Sequence, residues 1–274
     1  MTVRQILAAA SDTLGSRADA EILATIVLGR SRAWLYAHDD QAVGLAERRA
    51  FEPLLEQRAA GRPLAYIAGF REFYGRNFSV DEAVLIPRPE TEHLVDFALS
   101  LEELPDAARV ADIGTGSGCI ALTLAAERPA WHCIGVDCSA EALAVAARNA
   151  EQLDLKSIEW LDGHLLDPIN DRSLDLIVSN PPYIAESDAH LERGDLRFEP
   201  DLALSAGPDG MSVISELIER SPRLLANGGW LVLEHGYDQA AHVRQLMRER
   251  GFEKIRSESD LAGIERITGA YWKA

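Results

Sequence analysis

Positive charge is scarce in this chain of 274 residues: 27 Lys and Arg stand against 44 Asp and Glu, a formal net charge of −17. Proteins that track along nucleic acid neutralise many phosphates with cations and release counterions, so this balance argues against an extended nucleic-acid groove and leaves room only for a local basic patch. Cysteine is scarcer still. Cys119, Cys133 and Cys138 are the three present, and they show neither the pairing of a disulfide framework nor metal-ligand spacing, so no metal is expected. An odd number of thiols with no leader-like segment ahead of them predicts reduced cysteines in the cytoplasm, each a small buried residue at a helix start, in a strand or at a strand end. No apolar run approaches the roughly 20 residues of a membrane span. The expectation is a soluble protein with no membrane partner.

What is present begins with an apolar run, residues 174–179, that ends abruptly in Asn180-Pro181-Pro182-Tyr183. Such a run reads as a buried strand of a parallel sheet, and the double proline stops it because neither ring nitrogen can donate to a ladder. The result is a rigid turn with an amide side chain at its head and an aromatic ring at its tail, suited to clamping a planar NH2 group. Upstream, residues 109–113 form a second strand pattern that runs into Gly114-Thr115-Gly116-Ser117-Gly118 and then a helical pattern from Cys119 to about Arg128. The Gly-x-Gly-x-Gly spacing differs from the Gly-x-Gly-x-x-Gly that receives a pyrophosphate, so a dinucleotide is not the first choice. The next strand, 132–137, closes on Asp137, where a carboxylate can hold a ribose diol. These features in order describe a nucleoside site.

Hydrophobic residues make up 47% of the chain, enough for a sizeable core in one large unit or two. Residues 2–69 read as helices alone, beginning at Thr2, at Arg17 and at Ala46, with Ile6, Leu7 and Ala10, then Ile22, Leu23, Ile26 and Val27, then Phe51, Leu54 and Leu55 on their apolar faces. Residues 70–86 read as a β-hairpin turning at Gly75-Arg76-Asn77 and bridging to residues 87–274. There Pro87-Arg88-Pro89-Glu90 fixes an extended stretch that opens a helix, after which strands at 110–113, 133–137, 157–161, 174–179, 229–235, 252–257 and 263–271 alternate with helices. Alternation predicts a parallel, doubly wound α/β sheet with ligands at the carboxyl ends of its strands.

Taken together, Asp112 to Gly118, Asp137 and the Asn-Pro-Pro-Tyr turn resemble an S-adenosylmethionine-dependent methyltransferase. With Ile86-Pro87-Arg88-Pro89-Glu90-Thr91-Glu92 and the helical leader, nearly the whole chain resembles the HemK/PrmC family, which methylates a glutamine of peptide-chain release factors. That resemblance implies a seven-stranded Rossmann-like methyltransferase sheet joined to a small all-helical substrate-recognition domain. It implies S-adenosylmethionine contacts at Asp112, Gly114, Thr115, Gly116, Ser117, Gly118, Asp137, Leu165 and Asn180, with Leu165 standing where the family usually carries an aromatic. It implies catalysis by Asn180, Pro181 and Tyr183, with Asn180, Pro181, Pro182 and Tyr183 holding the acceptor glutamine of the Gly-Gly-Gln motif. The segment 87–90 would wall the pocket, and His164 and His235 read as structural rather than as bases. Asp260-Leu261-Ala262-Gly263 with Arg266 is similar to the family's C-terminal hairpin, while Ala206 replaces one glycine of its usual pair.

Two other readings stay open on the residues: methylation of an exocyclic amine of adenine or guanine in DNA or RNA, and a nucleoside-binding module without activity. The first would want a base-flipping aromatic and a basic channel, and stable nucleic-acid binding is not expected from so acidic a chain. The second would have no use for an intact clamp beside an intact glycine loop.

Overall fold

The computed structural model describes residues 1–170, 173–189, 191 and 194–274. It divides into two compact units, one made of Met1–Phe70 with a short later segment ending at Phe198, the other running from Arg71 to Ala274 apart from that segment.

The first unit is helical: α1 (Val3–Leu14), α2 (Arg17–Leu28), α3 (Arg32–Ala37), α4 (Leu45–Ala59) and α5 (Leu64–Ala68). Thr2 begins α1 with a capping box, its side chain accepting from the Gln5 amide while Gln5 reaches back to the Thr2 N–H. Val3, Ile6, Leu7, Ala10, Leu23, Leu35 and Phe51 share one buried cluster. The short helices α3 and α5 were not expected; six and five residues carry too little periodicity to register. On α2 the deepest face is Ala20, Leu23 and Ala24 with Glu21, rather than the bulkier Ile22, Ile26 and Val27. Small residues lie innermost because α1 and α4 both pack against this helix.

In the second unit, β1 (Phe70–Phe73) and β2 (Arg76–Ser79) form a two-stranded hairpin. Its turn is Tyr74-Gly75, at φ 51° and 72°, one residue earlier than expected. Positive φ at both central residues marks the two-residue turn whose twist suits a hairpin, so Arg76 and Asn77 belong to a strand. The remaining seven strands, β3 (Arg109–Ile113), β4 (His132–Asp137), β5 (Glu159–Asp162), β6 (Leu174–Ser179), β7 (Leu225–Glu234), β8 (Glu253–Ser259) and β9 (Glu265–Tyr271), form one sheet in the order β5-β4-β3-β6-β7-β9-β8. All neighbouring pairs are parallel except those made by β9, which runs antiparallel to β7 and β8. The expected Rossmann-like seven-stranded sheet is therefore mixed at one edge, where a hairpin needs no crossover helix.

Alternate residues of the central strands feed opposite faces. Val110, Leu176, Val178, Trp230 and Val232 enter the cluster that holds Phe73, Phe78 and Phe97, the last from α6 (Glu92–Leu99). Ala111, Ile113, Ile177, Leu231 and Leu233 enter a second cluster with Ile214 and Leu217 of α9 (Ser212–Arg220) and Val243 and Met247 of α10 (Ala240–Arg250). The glycine motif leads into α7 (Cys119–Glu127), buried from Cys119 to Ala125, and α8 (Ala140–Gln152) follows β4. Because β3 lies between β4 and β6, the chain reverses its winding direction there, and the ends of β3 and β6 open on one crevice.

Candidate active site

The switch-point crevice holds a cavity of about 210 Å³ whose lining includes Gly114, Gly116, Asp137, Leu165, Asn180 and Pro182. Its floor is the turn after β3. Gly114, Gly116 and Gly118 adopt φ of 70°, 54° and 79°, a left-handed conformation that costs any residue with a Cβ. The amides of Gly114 and Thr115 both donate to the Val136 carbonyl at 2.9 Å, which folds the turn over the end of β4. The Asp112 carboxylate lies behind this turn. Its Oδ2 accepts from the Thr115 hydroxyl at 2.6 Å and from the Ala121 amide in the first turn of α7 at 3.2 Å, while Oδ1 is buried without a partner. Burial pushes Asp112 up to about 7, against those two hydrogen bonds and with the Asp137 charge adding to the rise.

Asp137 faces the cavity from the end of β4. Its Oδ2 accepts from the Gly116 amide at 2.8 Å and its Oδ1 from the Ser139 amide at 3.0 Å. Each oxygen keeps a second lone pair, so the carboxylate can accept from two neighbouring hydroxyls as well. Burial raises its pKa, opposed by the amides of Ser139, Gly116 and Cys138. Of the residues expected at the cofactor, Asp112, Thr115 and Ser117 are instead buried behind the lining, at 1, 3 and 2% exposure. The Ser117 carbonyl accepts from Asn149 of α8 at 2.8 Å, and the same side chain grips both the amide and the carbonyl of Ser79, which ties the hairpin to the glycine turn. Leu165 does line the cavity, at a positive φ of 48°.

The Asn-Pro-Pro-Tyr turn leaves β6 on the opposite side. Asn180 and Pro182 reach the cavity lining; Pro181 and Tyr183 do not. The Asn180 Nδ2 donates to the Thr91 hydroxyl at 3.0 Å. The Tyr183 hydroxyl donates to Glu234 Oε1 at 3.4 Å. Burial raises the Tyr183 phenol well above its ordinary range. Gln239 braces the turn from the start of α10, donating to the Tyr183 carbonyl at 3.0 Å. A Cβ on Gly210 would come within 2.3 Å of that carbonyl, so the loop 205–210 closes on the turn only with glycine there.

Val84, Leu85, Pro200 and Leu202 also line the cavity. They replace residues 87–90 as the expected wall. Arg88 is held away by Glu199, whose buried carboxylate also accepts from the Ile86 amide at 3.3 Å, and Glu90 is not its partner. His235 is fully buried between the Gly236 carbonyl and the Thr268 hydroxyl, with its pKa lowered by burial. His164 lies at the cavity lining 3.5 Å from Glu216. Cys119 and Cys133 are buried, but Cys138 is exposed and lines the cavity, because β4 ends at Asp137 and the chain turns outward. Among the described residues no cluster of His, Cys, Asp and Glu could hold a metal, and no helix is long and apolar enough to cross a membrane.

Thr91, Glu234 and Gln239 were not singled out from the sequence. Thr91 lies inside the Pro-Arg-Pro-Glu-Thr-Glu signature, and Glu234 closes the apolar run 230–233 of β7, a position where a carboxylate has a cost to explain.

Residues 2–69 match the family described as PrmC N-terminal domain, and residues 95–195 match the methyltransferase small domain. The release factor glutamine methyltransferase of Xylella fastidiosa strain Temecula1 is 46% identical over 96% of this chain and 95% of its own length. That of Bordetella pertussis is 48% identical over 93% and 94%. This chain belongs to the release factor glutamine methyltransferase family. Its fold is also that of a methyltransferase from Pyrococcus furiosus, whose crystal structure aligns with 83% of this chain and 99% of its own at a TM-score of 0.57 and 14% identity. The ends of β3 and β6 place a glycine turn and an amide on one cavity.

Proposed function

We propose that this enzyme transfers a methyl group from S-adenosylmethionine to the side-chain amide nitrogen (N5) of the glutamine in the Gly-Gly-Gln motif of peptide-chain release factors. The observation that carries the reading is the Asn180 amide at the cavity lining, with its NH2 engaged by Thr91 and its oxygen left to accept. The cavity suits a nucleoside cofactor: a carboxylate with spare lone pairs at Asp137, a floor of glycines without side chains, and an apolar wall at Leu165. In this reading Asp137 holds the ribose hydroxyls, Gly114 and Gly116 allow close approach of the backbone, and Leu165 lies against the base. Asp112, Thr115, Ser117 and Gly118 act indirectly by fixing the shape of the turn. When bound, the cofactor supplies an electrophilic methyl group.

The protein must present a nitrogen whose lone pair is delocalised into a carbonyl. Asn180 accepts one N–H of the glutamine through Oδ1, and the Pro181 carbonyl accepts the other, which turns the nitrogen in a fixed direction and excludes water from it. Both acceptors gain strength as positive charge develops on that nitrogen. Pro182 and Tyr183 keep the turn rigid, and the displaced proton leaves to solvent. The acidic balance of the chain favours a protein acceptor over a nucleic acid, and its setting is the cytoplasm, where release factors act. Residues 1–69 form the substrate-recognition domain, 70–86 the hairpin linker and 87–274 the methyltransferase domain. Radiolabelled methyl transfer to purified release factor, DNA and ribosomal RNA, measured in parallel, tests the reading. Label should appear on the release factor alone; label on a nucleic acid and none on the release factor overturns it.

A further inference from the structure

Resting on the acceptor reading just given, we infer that Gln239 is a positioning residue for the methyl acceptor: its side-chain amide fixes the exit of the Asn-Pro-Pro-Tyr turn against the loop 205–210. Pro181 and Pro182 carry no N–H, so across them the turn has no donor with which to tie itself to a neighbour. It is held beyond them. The Ile184 amide donates to the Leu204 carbonyl, the Ala206 amide to the Ile184 carbonyl and the Glu186 amide to the Gly207 carbonyl, each at 3.0 Å. Gln239 closes this junction from the start of α10. Its Nε2 donates to the Tyr183 carbonyl at 3.0 Å and to the Gly210 carbonyl at 3.4 Å, while its Oε1 accepts from the Gly236 amide at 2.8 Å.

The polarity of these partners leaves the Gln239 amide one orientation. A backbone N–H can only donate and a carbonyl can only accept, so the oxygen must face Gly236 and the NH2 group the two carbonyls. The junction is also tightly packed: a Cβ on Gly210 would lie 2.3 Å from the Tyr183 carbonyl oxygen and 3.1 Å from Gln239 Nε2. Both segments that Gln239 ties together lead to the cavity, the turn through Asn180 and Pro182 and the preceding part of the loop through Ala203 and Ser205. Asn180 and Pro181 can aim the glutamine nitrogen only as accurately as their turn is held against the rest of that cavity. A displacement of about 1 Å at such a site costs about 10²-fold in rate.

The test uses the full-length enzyme with release factor and S-adenosylmethionine, and its main variant is Gln239→Glu. An ionised glutamate keeps the shape and an oxygen for the Gly236 amide but has no proton for the two carbonyls. If Gln239 only shaped the start of α10, this change would be harmless, since helix N-termini favour an anion. We expect kcat to fall by about 10²-fold in Gln239→Glu and in Gln239→Met, which loses all three hydrogen bonds, while cofactor affinity measured by calorimetry stays within a few-fold. Hydrogen exchange reads the junction without substrate: the Ile184 and Ala206 amides should exchange about 10-fold faster in Gln239→Glu, with the core amides of β7 unchanged. Wild-type kcat in Gln239→Glu, a loss of cofactor affinity as large as the loss of kcat, unchanged exchange at Ile184 and Ala206, or an equal rise in β7 would each overturn the inference. A wild type that leaves release factor unlabelled while Gln239→Glu quickens exchange at those two amides would sink the substrate assignment and keep the tie between turn and loop.

Discussion

In the proposed function a carboxylate at the end of β4 and an amide at the end of β6 divide the work of the site, and single substitutions should separate their roles. Asp137 accepts from two backbone amides and keeps two lone pairs for hydroxyls. Asp137→Ala should therefore weaken S-adenosylmethionine binding by about 1.5–3 kcal/mol, the size of charge-assisted hydrogen bonds that water replaces only in part. Calorimetry measures this directly, and unchanged affinity would leave Asp137 as a strand-end carboxylate that does no more than hold the glycine turn. Asn180→Ala should do the reverse, leaving cofactor affinity close to wild type and lowering turnover by about 10²-fold or more through loss of an oriented acceptor. Turnover within a few-fold of wild type would remove the clamp from the mechanism. Both residues stood out in the sequence because each ends an apolar strand abruptly. Thr91 and Glu234 did not, since nothing in a linear pattern joins positions so far apart.

Between elements, charge networks carry a pH signature. Glu21 on α2 is 1% exposed, yet it accepts from Arg17 at 2.8 Å, Arg32 at 2.6 Å and the Tyr36 hydroxyl at 2.6 Å, the last two from α3. Burial pushes its pKa up, and the hydrogen bonds from Tyr36, Arg17 and Arg32 outweigh that push and hold it at about 2, below an ordinary 4.5. A pKa depressed in the folded state stabilises fully above the unfolded value and is lost as pH falls through the folded one. Glu21→Gln should thus be less stable than wild type at neutral pH, with the gap closing as pH falls from about 4.5 towards 2. Thermal unfolding across that window checks it, and a gap independent of pH would show that the network contributes through shape alone. The same network explains why α3 forms despite its six residues: its stability comes from tertiary partners rather than from a periodic face.

At the scale of the molecule, the two units have separate cores. The buried cluster of the first lies between Val3 and Phe51, and the two clusters of the second begin at Phe73. A chain beginning at Arg71 should accordingly still bind S-adenosylmethionine, since Gly114, Gly116, Asp137 and Asn180 all lie beyond that point. It should fail on intact release factor if the helical unit supplies the remote binding energy that places the glutamine. Dispersity and cofactor affinity are measured first, because exposed apolar surface promotes association. Methylation of release factor at the full-length rate would make the leader a scaffold and leave recognition to the methyltransferase unit.

The order of strands and helices, the glycine turn, Asp137 and the proline-stopped β6 were legible in the chain because each depends on local chemistry: period, positive φ, and a ring that cannot donate. The sequence also contained the signature segment 86–92, but its arrangement belongs to the fold. Arg88 turns to Glu199 and Thr91 to Asn180, while the cavity wall comes from Val84 and Leu85. The antiparallel direction of β9, the burial of Asp112 behind the turn and the outward face of Cys138 were likewise tertiary outcomes. The reason is the same in each case. A strand pattern sets which faces are apolar, but which neighbour a strand finds, and which donor a buried carboxylate meets, depends on residues brought together only when the sheet closes around β3.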